Sequence, residues 1–254
     1  MISFTTDYGL SDGFVAACHG VLARLAPTAR VIDITHLIPP GDVRRGAAVL
    51  AQTAPSLPVG VHLAVVDPGV GTARRAVALS TRDGSILVGP DNGLLLPAAE
   101  ALGGVAVAVH LTNAEWFAPK VSATFHGRDI FAPVAARLAT GSSLREAGPE
   151  IADLLSLPPS YVEQAPGRLT AAIQTIDHFG NVQLAAPAEL LPPLPESVRV
   201  NGVPAVHATT FGDAEPDSLV VFADSAGFVA VAVNGGNAAA RLALTAESRV
   251  TIMY

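Results

Sequence analysis

The stretch His62-Leu63-Ala64-Val65-Val66-Asp67-Pro68-Gly69 joins an unbroken run of strand-forming residues to an acid–proline–glycine turn. A strand whose apolar residues do not alternate with polar ones is covered on both faces, the habit of parallel sheets lined by helices. The flanks repeat that theme. Upstream, Ile2–Thr6 is a short β-rich run and Val31–Ile34 reads as a buried strand, and Ser11 between them is placed to cap a helix ending before Pro27. Pro39-Pro40-Gly41-Asp42 punctuates the chain, and Val43–Thr53 then carries helical spacing. Downstream, Ala76–Ser80, Ile86–Val88 and Val105–His110 read as strands. Pro90-Asp91-Asn92-Gly93 reads as a turn before a short helix to Ala101, and Phe131–Ala139 as a helix with Gly141 at C′. The alternation predicts an α/β N-terminal domain, a mostly parallel sheet between helices, over residues 1–155.

The period changes after that. Pro158, Pro159 and Pro166 mark residues 156–166 as a Pro-rich linker. Beyond it the spacing falls to two, with strand runs at Leu169–Ile176, Leu219–Phe222, Phe228–Val233, Leu242–Leu244 and Val250–Ile252. Asn201-Gly202 is a hairpin signal, because both residues of that turn need positive φ. Residues 167–254 are therefore expected to form an all-β domain, barrel or sandwich. Pro187–Pro195 reads as a rigid loop.

Composition bounds the function classes. The 254 residues are 50 % hydrophobic and 15 % charged, so the chain is not disordered. A formal net charge of −7 argues against nucleic-acid binding, which favours a basic face. One cysteine, Cys18, excludes a disulfide framework and a multi-cysteine zinc site. No His-Glu-x-x-His spacing occurs, so no metal site is expected. The apolar runs fall short of the ~20 residues of a membrane span, and the N-terminus lacks a basic export signal, which predicts a cytoplasmic protein.

Ligands of open α/β sheets bind beyond the carboxyl ends of the strands, where Asp7, Asp67 and Asp91 fall. In Asp67-Pro68-Gly69-Val70-Gly71-Thr72-Ala73-Arg74-Arg75 the glycines permit a tight loop across which Asp67 and Arg74 could pair, although a structural turn with surface arginines has the same pattern. Without a Gly-Lys-Ser/Thr ending it is not a P-loop. His126, in Ser122-Ala123-Thr124-Phe125-His126-Gly127-Arg128-Asp129, precedes a helix whose dipole favours a neutral imidazole. That ring could polarise water or take its proton, or simply hydrogen-bond locally. In the β half, Asp177-His178-Phe179-Gly180-Asn181 and Asn234-Gly235-Gly236-Asn237 are turns that could also offer contacts to a nucleoside base.

Taken together these pieces resemble the S-adenosyl-L-methionine hydrolases (adenosine-forming), or SAM hydroxide adenosyltransferases, relatives of the fluorinating and chlorinating enzymes. The carrying motifs are Thr5-Thr6-Asp7-Tyr8-Gly9 with Asp12, Asp33-Ile34-Thr35-His36, Val66–Thr72 with Arg74, Gly89-Pro90-Asp91-Asn92-Gly93, Val121–Asp129, and Asp177 with Phe179-Gly180-Asn181. They span the whole chain in order. The resemblance implies an α/β domain followed by a β-barrel-like domain, and a homotrimer with active sites at subunit interfaces. It implies attack of water or hydroxide on the ribose C5′ of a small-molecule substrate, without a cofactor. It places Asp67, Arg74 and His126 as the catalytic set and Asp7 and Asp12 on the substrate, with Asp7 gripping the ribose hydroxyls. Asp177 and Ser225 match methionine-side contacts and Asn181, Asn237 and Ala238 the adenine side, with Phe179 also expected on the substrate, although Asp224 departs from the pattern beside Ser225.

Two other readings compete. The halogenating branch typically carries Tyr-Ser where this chain has His126-Gly127, and an aromatic residue where it has Asp67. A carboxylate at the nucleophile site would repel halide. The other reading is a binding module for the same nucleoside without turnover.

Overall fold

Six strands build the sheet of the N-terminal unit: β1 (Ile2–Thr6), β2 (Val31–Thr35), β3 (Val61–Val65), β4 (Ala76–Thr81), β5 (Ile86–Pro90) and β6 (Val105–His110), in the order β2-β1-β3-β5-β4-β6. The helices are α1 (Phe14–Leu25), α2 (Val43–Thr53), α3 (Leu96–Ala101) and α4 (Ala132–Ala139). The computed structural model describes residues 1–191 and 194–254, and divides into units Met1–Leu157 and Pro158–Tyr254. Pro192 and Pro193, inside the Pro187–Pro195 loop, lie outside the described residues.

The opening motif shows why the sheet is covered twice. Successive strand residues point to opposite faces. Leu63 and Val65 join Cys18, Val21 and Leu22 of α1 and Val134, Ala135 and Leu138 of α4. Ala64 and Val66 join Ala47 and Leu50 of α2 and Ala98 and Ala99 of α3. With apolar partners on each side, the strand has no polar alternation to show.

β1 pairs parallel with β2 and β3, and β3 with β5. β4 is antiparallel to both its neighbours. It reaches β5 through a tight turn in which the Asp83 carboxylate accepts the Ser85 N–H (2.9 Å), and so short a connection cannot make a parallel crossover. Two local expectations are corrected. Ser11 does not cap α1, whose N-cap is Gly13 without a side-chain bond. β2 is an edge strand and only half-buried.

The second unit contains β7 (Val162–Ala165), β8 (Arg168–Ile176), β9 (Val182–Pro187), β10 (Ser197–Val200), β11 (Val203–His207), β12 (Leu219–Ala223), β13 (Phe228–Val233), α5 (Ala238–Arg241) and β14 (Arg249–Met253). The sheet runs β14-β10-β11-β12-β13-β9-β8, and β14 pairs back onto β8, so seven strands close into a barrel. β7 lies outside the ring, beside the first half of β8, while β9 takes the second half. Leu169, Ala171 and Ile173 point inward and alternate with less buried residues. Asn201 and Gly202 have φ of 49° and 82°, as the hairpin requires. The stretch expected to be linker thus contains a strand, β7. Leu242–Leu244 is not a strand: it is the exit of α5, one helical turn capped by Asn237.

Candidate active site

Asp67 lies two residues beyond β3, in the loop leading to β4. The loop folds back on itself: the Val70 N–H donates to the Asp67 carbonyl (3.2 Å) and the Thr72 hydroxyl to the Gly69 carbonyl (2.7 Å). Gly71 has φ of 78°, and a Cβ there would stand 2.4 Å from the Ala123 carbonyl oxygen. Only glycine permits that approach, and it lays the loop against the segment leading to His126.

Arg74 then reaches both ways. Its Nε donates to Asp67 Oδ1 (3.1 Å), and its Nη2 donates to Asp67 Oδ2 and to His126 Nδ1 (3.1 Å). The Arg74 and Asp67 side chains are only 8 % and 5 % exposed, and the guanidinium also sits over the Phe131 ring, 5.3 Å from its centroid. The bidentate fork fixes the guanidinium plane. Its Nη1 has no partner among the described residues.

That chain of bonds decides the state of His126. A guanidinium has donors and no acceptor. His126 Nδ1 must therefore present its lone pair, and a neutral ring carries its proton on Nε2. Burial, and after it the Arg74 charge, hold His126 below its ordinary value against the weaker opposing pull of Asp67 and Asp129. Of the two roles open to a neutral histidine, this tautomer presents a donor at Nε2.

His126 is the N-cap of a single π-turn, Gly127–Phe131, that runs into α4. The loop before it is pinned by buried Asp129, which accepts the Ser122 N–H (2.8 Å) and an Arg128 Nε–H (2.6 Å). Gly127 has a role that sequence reading missed. A Cβ there would stand 1.9 Å from the Tyr8 hydroxyl oxygen. Tyr8 is held edge-on against Phe125, and Phe14 lies beside both rings. Burial, with the nearby Cys18, Asp7 and Asp67, pushes its phenol up, so it stays protonated. A glycine beside a histidine gives no hint in sequence of a phenol filling its side-chain space.

Asp7 follows β1 and accepts the Gly41 N–H through Oδ2 (2.8 Å). Asp12 is exposed and accepts a long hydrogen bond from the Ser11 hydroxyl (3.5 Å), and the structure does not bring it into the Asp67–Arg74–His126 chain. Asp91, the third acid at a strand end, is buried and structural: it takes Arg75 Nε–H (2.9 Å) and the Leu155 N–H (2.9 Å).

Of the remaining candidates, Asp177, Phe179, Asn181, Asn237 and Ala238 gather at one end of the barrel, and Ser225 lies at the other. Asp177, in the turn between β8 and β9, accepts from Phe179 N (2.9 Å), Asn181 N (2.9 Å) and Asn181 Nδ2 (2.8 Å). Gly180 has φ of 85°, and a Cβ there would collide with the Asn237 side-chain amide. The Ala239 N–H donates to the Gly180 carbonyl (3.0 Å), so the two turns carrying Asn181 and Asn237-Ala238 are neighbours. Exposed Ser225 is not brought to them: it sits in the β12–β13 turn, where Asp224 accepts from Gln183 Nε2 (2.5 Å) and the Gly227 carbonyl accepts the Ala188 N–H (2.8 Å) beyond the far end of β9. Phe179 is 73 % exposed. No described helix is long and apolar enough to cross a membrane.

An α/β unit with an acid–arginine–histidine chain at its strand ends, followed by a closed barrel with two neighbouring polar turns at one end, defines the class of protein. Residues 2–148 match the SAM hydroxide adenosyltransferase N-terminal domain and residues 171–251 its C-terminal domain. The chain belongs to the SAM hydroxide adenosyltransferase family. It is 66 % identical, over 99 % of its length and 97 % of the relative's, to the (R)-S-adenosyl-L-methionine hydrolase of Salinispora arenicola. A fluorinase of Actinoplanes sp. is more distant, 30 % identical over 72 % of this chain and 70 % of its own. A crystal structure of an uncharacterized conserved protein from Thermotoga maritima superposes with a TM-score of 0.92 at 37 % identity, covering 99 % of this chain and 100 % of that one.

Proposed function

We propose that this protein hydrolyses S-adenosyl-L-methionine to adenosine and L-methionine, and that Arg74 and His126 hold the attacking oxygen. The observation that carries the reading is the Arg74 Nη2–His126 Nδ1 bond, because it leaves His126 Nε2–H and the Arg74 Nη1 donors for a nucleophile. Two donors, one cationic, favour hydroxide over water in a site of low dielectric. Asp67 fixes Arg74 rather than touching the nucleophile, and its charge is matched by the guanidinium. Hydroxide attacks the ribose C5′, the C5′–S bond breaks, and the sulfonium sulfur keeps the electron pair as a neutral thioether. No acid is needed at sulfur, and the proton given up by water goes to solvent. The identity to proteins named as hydrolases supports the same reading.

Asp7 grips the ribose, and Asp177, Asn181, Asn237 and Ala238 supply the methionine and adenine contacts from the two neighbouring barrel turns. The working unit is a homotrimer with its sites between subunits, in the cytoplasm, where the methyl donor is made and used. The purified protein given S-adenosyl-L-methionine in ¹⁸O-labelled water should release adenosine labelled at its 5′-hydroxyl. Tight binding without turnover would sink the hydrolase reading in favour of a binding module. A 5′-halo-5′-deoxyadenosine product in halide would favour the halogenase. A monomer by light scattering would end the trimer.

A further inference from the structure

A second cluster of donor side chains lies behind Asp7, outside the Asp67–Arg74–His126 chain. His19 projects from α1, Asp33 from β2, and His36 follows β2 directly. His19 Nε2 lies 2.9 Å and His36 Nε2 3.2 Å from the same oxygen, Asp33 Oδ1, and the three atoms all fall within 4.8 Å of one another. These separations are close to the edges of a coordination polyhedron whose centre-to-ligand distances are about 2.0–2.2 Å. His36 is 4 % exposed, yet its Nε2 makes no hydrogen bond. It lies 3.2 Å from Asp33 Oδ1 without a hydrogen bond between them, a separation that two ligands sharing one cation would also show.

The surroundings resemble a supporting shell for such an ion. His36 Nδ1 is bonded to the Thr6 hydroxyl (2.9 Å), which sets the ring's orientation through its far nitrogen. The Phe4 ring packs against both imidazoles, with centroids 5.8 and 4.8 Å away. Asp33 is 43 % exposed, which leaves an entry path and room for water ligands. Burying an imidazole nitrogen with no partner is costly, and a cation would satisfy it.

We propose that His19, Asp33 and His36 form a site for one borderline first-row divalent cation, zinc by preference. Two imidazoles and a carboxylate favour zinc, cobalt or nickel over magnesium or calcium, which take oxygen ligands. The ion would tie α1 to the edge strand β2, and its reach extends to the substrate side. The Gly9 N–H donates to the His36 carbonyl (2.8 Å), and the loop after His36 carries Gly41, whose N–H holds Asp7. The hydrolysis proposed above needs no metal, so the ion's role is to brace the Asp7 loop.

The test uses the full-length protein stripped with chelator and titrated with Co²⁺ and Zn²⁺. One Co²⁺ per chain should bind with the visible d–d absorption of a low-coordinate nitrogen–oxygen site, and Zn²⁺ should displace it stoichiometrically. His19→Gln, on a helix surface where folding is not at risk, should weaken Zn²⁺ by at least about 10-fold against a chromophoric competitor, and His36→Gln by more. Zn²⁺ should also raise the melting temperature of the wild type and not that of His19→Gln. Absence of a saturable one-to-one cobalt spectrum would overturn the proposal. So would equal zinc affinity in wild type and His19→Gln.

Discussion

The two clusters of candidate residues are built on opposite principles. In the α/β unit the functional atoms are side chains, almost buried, each fixed by another: Asp67 by Arg74, Arg74 by His126, and the loops beneath by Gly71 and Asp129. At the barrel end the polar side chains are exposed and spent on their own turns: Asp177 on Phe179 and Asn181, and Asn237 on the cap of α5. The first arrangement can hold charge in place as a transition state forms. The second shapes a surface and leaves backbone groups and ring faces to meet a ligand. Chemistry and recognition therefore fall to different physical devices, and variants should separate them.

Asp67→Ala should strike hardest. It strands Arg74 beside His126, and kcat should fall about 10³-fold with KM little changed. Steady-state kinetics check this, and an unchanged kcat would remove Asp67 from the catalytic set. Losing one partner of so buried a pair should also cost about 3–5 kcal/mol of stability, read by urea unfolding. Gly127→Ser comes next: its Cβ meets the Tyr8 hydroxyl, the His126 ring must shift, and kcat should fall about 10²-fold. Near-normal turnover would mean that the Tyr8–Gly127 contact does not position His126.

Asp177→Ala should behave differently. With three turn hydrogen bonds lost from an exposed site, stability should drop by about 1–2 kcal/mol, and KM should rise about tenfold while kcat stays within a few-fold. If kcat instead falls as far as in Asp67→Ala, the division between the two regions is wrong. The smallest effect is the titration of His126. Its folded value lies below the ordinary 6.5, so the unfolded chain takes up the proton first as pH falls. Stability supplied by this ring is complete above 6.5 and is lost as pH falls toward the folded value. NMR of the ring carbons should place its midpoint below 6.5, and Arg74→Met should raise it.

Legibility in the sequence followed the range of the interactions. β1, α2, β3 and the Asn201-Gly202 hairpin depend on local spacing and turn chemistry, and the structure has them within a residue or so. Leu242–Leu244 has strand composition but lies behind a helical turn whose start depends on Asn237. β2 has the apolar sequence of a central strand, and only the strand order shows it at an edge. Asp67 and Arg74 could be paired on paper because one tight loop holds both. The third link, to His126, needed Gly71 to touch Ala123 across the fold, a contact no spacing rule encodes. Asp91 had the same position at a strand end as Asp67 and proved structural, because its partners Arg75 and Leu155 claim both its oxygens. His19, Asp33 and His36 match no metal-binding spacing, since helix packing, not sequence distance, brings them together.

The closure of the barrel bears on how the chain is made. β8 is bonded to β14, so Leu169 meets Ile252 and Ala172 meets Arg249. The ribosome must deliver β14 before that ring can shut, whereas residues 1–157 carry all six strands of their sheet. While translation of the second unit proceeds, β8 has an unpaired side, and an open strand side is where chains stick to one another. Production of the protein is accordingly most vulnerable while the eighty or so residues between the two partners of the closing seam are being made.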